Sequence, residues 1–259
     1  MRPKIRARAK IRTPERPAGL IRTPAVKLCV IGNSHSACLK LAWEQLQTRY
    51  LDHSITFFAQ RGIGMSGLMP RGKMLVPAGE ALRQAMLHTS GGHATIDLPN
   101  FDAVLIVGFL WGYPPSTGYY SHAAAQQALI DVTPKTLAIR LLRKIRQVSD
   151  IPVFLAHQPL RSDDSDIDGS ADLAPYRRLV EVLNSAFMES EGAVLLSQPP
   201  QTIARSFFTR REFAVGSLRL DVGDGDTDEN PYADPRSHMN TRYGDIYLST
   251  HLPTIARQC

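Results

Sequence analysis

The sequence predicts an α/β fold of three layers, with a mostly parallel five-stranded sheet between two layers of helices. Two observations carry this. Five short apolar runs, Val26–Ile31, Ser54–Ala59, Phe101–Val107, Ile151–Ala156 and Ala193–Leu196, alternate with segments of helical periodicity. Those runs are near-continuously apolar rather than alternating, as expected of strands covered on both faces. At 259 residues the chain is long enough to bury a sizeable core.

The first 24 residues stand apart. Met1 to Pro24 holds eight basic residues against one acid, Glu15, so the tail carries +7 and the rest −1 of a total of +6. Ile11-Arg12-Thr13-Pro14 recurs there as Ile21-Arg22-Thr23-Pro24. A segment with so few apolar residues is expected to stay disordered or lie along the surface. Its charge suits an anionic partner, while a merely solvated extension explains it equally well. The domain proper is therefore placed at 25–259. Its charge balance gives no reason to expect nucleic-acid binding.

The element order follows from local signals. Val26–Ile31 stops at Gly32, and Asn33-Ser34-His35 leads straight into a helical pattern from Ala37 to about Tyr50. Ser54–Ala59 is a second strand, followed by the glycine-rich loop Gln60–Gly67. The pattern then weakens, apart from a short helix over Ala78–His88; His88 and His93 are assigned no role. Phe101–Val107 is the strongest strand signal. It ends in Gly108-Phe109-Leu110 and an aromatic loop, Tyr113–Tyr120, that either lines a substrate site or covers the core. Helices follow over Ala123–Ile130 and Pro134–Val148, then the strand Ile151–Ala156, a polar loop Arg161–Ser170, a helix Ala174–Glu189 and the last strand. Crossovers in such a sheet are right-handed, and ligands bind beyond the carboxyl ends of the strands. Ser34, Gly62 and Gly108 all belong to that rim.

Other chemistry is less well supported. Cys29, Cys38 and Cys259 show neither a C-x-x-C pair nor zinc spacing, so free thiols are expected and no metal or cofactor site is indicated. The run Asp221–Asn230 lacks the glycine and glutamate of an EF-hand loop and reads as a flexible, solvated loop. A nucleotide-binding reading fails for want of G-x-G-x-x-G or a P-loop lysine after the first strand. No apolar run is long enough to span a membrane and no secretory h-region opens the chain, so a cytoplasmic protein is expected.

A strand followed by Gly32-Asn33-Ser34-His35 resembles the first block of the SGNH, or GDSL-type, serine hydrolases, although Ser and Asn at such a turn also simply cap a helix. The resemblance continues near the chain end, where Asp234-Pro235-Arg236-Ser237-His238-Met239-Asn240 is similar to the family's D-x-x-H-x-N, with the aspartate one place further upstream. It implies a flavodoxin-like sheet and a serine esterase. Ser34 would be the nucleophile and His238 the base, with Asp234 orienting the imidazole. The oxyanion would be met by the N–H of Ser34 and by Gly62, with Gly64 the second choice and Gly108 on the same rim. Leu110 stands where the family's third block carries an asparagine donor, which leaves two backbone donors. The implied substrate is an ester, including an O-acyl group on a carbohydrate or lipid-like molecule. Acyl transfer would use the same residues, and a binding module that kept the rim but lost activity is the alternative from another class.

Overall fold

The computed structural model describes residues 24–110, 121–162, 172–204, 207–225 and 235–259. Most of the basic tail, the aromatic loop, most of the aspartate-rich polar loop and Asp234 lie outside these residues.

In chain order the elements are β1 (Lys27–Gly32), a 3-10 turn (Ser34–Ser36), α1 (Ala37–Leu46), β2 (Ser54–Ala59), a second 3-10 turn (Gly64–Gly67), β3 (Leu68–Arg71), β4 (Met74–Pro77), α2 (Glu80–Ser90) and β5 (Ile96–Asp97). They continue with β6 (Ala103–Leu110), α3 (His122–Val132), α4 (Leu137–Arg146), β7 (Val153–His157), α5 (Ala174–Leu183), β8 (Ala193–Leu196) and α6 (Thr241–Ala256). The main sheet has the order β2-β1-β6-β7-β8, and every pairing in it is parallel.

The alternation of side chains builds a core on each side of the sheet. Leu28, Val30, Leu105 and Val107 pack with α1 and α6. Cys29, Ile31, Val104 and Ile106 pack with α2, α4 and α5 on the other face. Burial on both faces is why these strands read as unbroken apolar runs. Helices α1 and α6 approach so closely that a Cβ on Gly244 would lie 2.0 Å from the Cys38 carbonyl oxygen. Glycine is needed there for lack of space.

The strand order reverses at β1, with β2 on one side and β6 on the other. In open parallel sheets this reversal leaves a crevice beyond the carboxyl ends of the strands, because successive connections depart to opposite faces. The turn carrying Ser34 leaves β1 at that point.

Several boundaries differ from expectation. Helix α1 stops at Leu46 rather than Tyr50, because a turn closed by Arg49 N–H donating to Leu46 O brings Tyr50 down into the core. Strand β6 does not end at Val107. It continues to Leu110 past a register irregularity, in which Gly108 adopts a left-handed φ of 81°. Residues 68–97 hold a small antiparallel sheet, β3-β4-β5, that the weak pattern there did not announce. No helix among the described residues is long and apolar enough to cross a membrane.

Candidate active site

The turn that carries Ser34 is built by Asn33. Its Oδ1 accepts from the backbone N–H of His35 (3.0 Å) and its carbonyl accepts from both the N–H and the hydroxyl of Ser36 (2.9 and 2.6 Å). Its Nδ2 donates to the carbonyl of Gly108 (2.7 Å), tying the turn to the irregularity in β6. Asn33 thus does the capping, which leaves the Ser34 hydroxyl free for another partner. As the first residue of its turn, Ser34 has a backbone N–H with no acceptor inside that turn.

The histidine comes from the far end of the chain and is fixed by its neighbours. Ser162 N–H donates to Arg236 O (2.8 Å). Asn240 caps α6, its Oδ1 accepting from Tyr243 N–H (3.2 Å), while its Nδ2 donates to the carbonyls of Glu212 and Val215 (both 2.8 Å). Its own N–H donates to Phe213 O (2.7 Å). Between these anchors His238 is buried. Its Nε2 stands 3.0 Å from Ser34 Oγ, across 204 residues of sequence.

The second ring nitrogen, Nδ1, is 3.0 Å from Ser237 Oγ. With the proton on Nδ1 it donates to Ser237, and Nε2 is left to accept from the Ser34 hydroxyl. Ser237 carried no signal in the sequence, since a serine beside a histidine is unremarkable. Asp234, assigned to this nitrogen from sequence, lies outside the described residues.

His35 adds a face to the site. Its ring stacks on that of His238 with centroids 4.5 Å apart and planes 13° from parallel. It is buried, and its Nδ1 has no hydrogen-bond partner among the described residues. Burial, and then the charge on His238, pull the His35 pKa down to about 3, so the ring is neutral at ordinary pH.

The expected oxyanion residues lie on the same edge, since Gly32 pairs with Ala59 of β2 and with Val107 of β6. Gly62 is exposed with φ of 59° and open space around it, so the turn, and not close packing, calls for glycine there. The N–H of Gly64 donates to Arg61 O (3.2 Å), and a Cβ on Gly64 would strike the Gln60 side chain. Gly108 contributes its carbonyl, to Asn33. Leu110 is fully buried in the apolar core, because β6 runs on through it. An asparagine at that depth would leave its amide unpaired.

The start of the acidic run is pinned rather than loose. Asp224 pairs with Arg61 (2.6 Å), whose Nε donates to Leu220 O (2.9 Å), and Asp221 pairs with His88 (2.8 Å). The expectation of a flexible, solvated loop is corrected for these residues: Arg61 on the glycine loop and His88 on α2 hold them. Cys29 and Cys38 are free and buried, as expected.

No family model matches this chain, and no curated protein does. Among solved structures it is similar to a carbohydrate esterase family 2 enzyme with a carbohydrate-binding domain from Corynascus thermopiles (Myceliophthora fergusii). That match has 13% identity over 96% of this chain and 69% of the other, with a TM-score of 0.32. A second is a carbohydrate esterase whose active site is described as having divergent catalytic and non-catalytic binding functions, at 10% identity over 94% and 68% of the two chains and a TM-score of 0.33. A third is an Era protein of Aquifex aeolicus bound to GDP and aluminium fluoride, at 12% identity over 67% and 51% and a TM-score of 0.29. Similarity at this level decides nothing about activity.

Proposed function

We propose that this chain is a serine esterase or deacylase of the SGNH type, acting through an acyl-enzyme on Ser34. The observation that carries this reading is the 3.0 Å contact between Ser34 Oγ and His238 Nε2 at the strand-order reversal of the sheet. A serine hydroxyl is a weak nucleophile until a base within hydrogen-bond reach takes its proton.

In the first step Ser34 Oγ bonds to the ester carbonyl carbon as its proton passes to His238 Nε2. The carbonyl oxygen becomes an oxyanion, met by the N–H groups of Ser34 and Gly62. Collapse breaks the bond to the alkoxide leaving group, which takes the proton back from His238. Water then repeats the sequence and releases the acid; a sugar hydroxyl in its place would make the same site an O-acyltransferase. Asp234 is assigned the orientation of the imidazole and stabilisation of its cation. The substrate class is a small-molecule or carbohydrate ester, and the basic tail contacts an anionic partner.

The buried Leu110 favours one rival, a binding module that keeps the crevice without the third oxyanion donor. A fluorophosphonate probe separates the two. Labelling of the wild type that disappears in Ser34→Ala supports the enzyme. A wild type that takes no label supports the binding module.

A further inference from the structure

We propose that His35 is a positioning residue for the base: its imidazole is a flat platform on which the ring of His238 lies, holding Nε2 in line with Ser34 Oγ. This rests on the reading of Ser34 and His238 as nucleophile and base.

The torsion that turns a histidine ring about its Cβ–Cγ bond has a broad, soft profile. Hydrogen bonds to Ser34 and Ser237 hold its two nitrogens within the ring plane and do not bear on its face. A parallel ring at 4.5 Å, 13° from coplanar, removes that freedom. The platform is itself immobile. His35 follows Ser34 in the same turn, its backbone N–H is held by Asn33 Oδ1, and its Cβ lies against Gly108, where an added Cβ would stand 3.0 Å away. Nucleophile and platform are therefore set by one clamp, so any movement of the turn carries both together.

The chemistry of the ring fits the task. Buried and uncharged, His35 does not repel the imidazolium that forms when His238 takes the Ser34 proton. A cation against a neutral aromatic face is attracted instead. Among the described residues the buried His35 Nδ1 has no partner, which costs stability, so core packing alone does not account for a histidine here.

The test compares His35→Phe, which keeps a flat face, with His35→Leu, which fills similar space without one, and His35→Ala. Each full-length variant is assayed for its rate of inactivation by a fluorophosphonate and for turnover of p-nitrophenyl acetate. Misplacing a catalytic group by about 1 Å can cost about 100-fold, so Leu and Ala are expected to lose about 10- to 100-fold in kcat with KM changed far less, and Phe to recover most of it. A Leu variant as fast as wild type, or a Phe variant as slow as Leu, overturns the proposal. Imidazole 15N spectra provide a readout independent of activity. His238 should show one tautomer, protonated on Nδ1, in wild type and His35→Phe, and averaged nitrogens in His35→Leu. If the wild type takes no label, the esterase reading fails while these spectra still decide the platform: averaged nitrogens in wild type overturn it, and a tautomer lost only in Leu and Ala sustains it.

Discussion

The side-chain amide of Asn33 donates to the carbonyl of Gly108 at 2.7 Å, so the turn bearing Ser34 and the kink in β6 are a single unit. Gly108 holds a φ of 81°, and a Cβ there would lie 2.2 Å from Asn33 Oδ1. Strain and overlap act at once in Gly108→Ala, with an expected loss of about 2–4 kcal/mol in stability. Labelling of Ser34 should fall even in the fraction that remains folded, because the displaced Asn33 takes the serine with it. Gly62→Ala is the contrast. Its φ is also positive but it meets nothing within 4 Å, so only backbone strain, about 1 kcal/mol, is expected. Denaturant midpoints for the two variants check the difference.

Ser237 stands at His238 Nδ1, and the proposed mechanism gives Asp234 the orienting role, so substitution ranks the two. If Asp234 supplies the carboxylate, Asp234→Asn should lower turnover by several hundred-fold or more, since other triads lose about 10,000-fold in that change. Ser237→Ala removes one neutral hydrogen bond to Nδ1, worth about 0.5–1.5 kcal/mol, and should cost about 3- to 10-fold. Steady-state rates on p-nitrophenyl acetate decide. An unchanged Asp234→Asn rate, with a large loss in Ser237→Ala, would make the serine the orienting residue.

What could be read from sequence follows from what is local. The five core strands announced themselves because burial on both faces demands unbroken apolar runs, and the Ser34 and His238 segments because short motifs flank them. The small sheet β3-β4-β5 was not legible: its strands are two to four residues long and two of them contain proline, at Pro70 and Pro77. Gly108 looked like the end of a strand because a positive φ in mid-strand leaves the same glycine as a loop does. The stacking of His35 on His238 joins residues about 200 apart, and no periodicity encodes it.

Helix packing offers a test away from the chemistry. Gly244 lets α6 touch α1, and a Cβ there would meet the Cys38 carbonyl at 2.0 Å and the Ala42 Cβ at 2.9 Å. The obstacle is backbone, so the helices must part. Gly244→Ala should destabilise by about 1–3 kcal/mol, seen as a lower denaturant midpoint at unchanged slope. Because Asn240 and His238 lead into α6, labelling of Ser34 should slow as well.

Acid should unfold this protein earlier than its carboxylates alone would dictate. Burial lowers the pKa of His35 to about 3 and of His251 to about 4, and lowers that of His157 too. In the unfolded chain each titrates near 6.5. Below pH 6.5 the unfolded state therefore binds protons that the folded state refuses, and unfolding is favoured progressively as the pH falls towards 4. Stability is full well above pH 6.5 and declines by up to about 1.4 kcal/mol per pH unit for His35 and for His251 as the pH falls towards their folded values, with His157 adding in the same direction. Carboxylates do not titrate appreciably between pH 6.5 and 5, so the slope in that window belongs to the histidines. His251 donates from Nε2 to Ser197 O at 2.8 Å, a bond that glutamine can replace without a titrating ring. Urea midpoints at pH 7.5, 6 and 5 should converge less steeply in His251→Gln than in wild type, by about one histidine's share. Equal slopes would mean that the His251 ring takes up its proton while the protein is still folded.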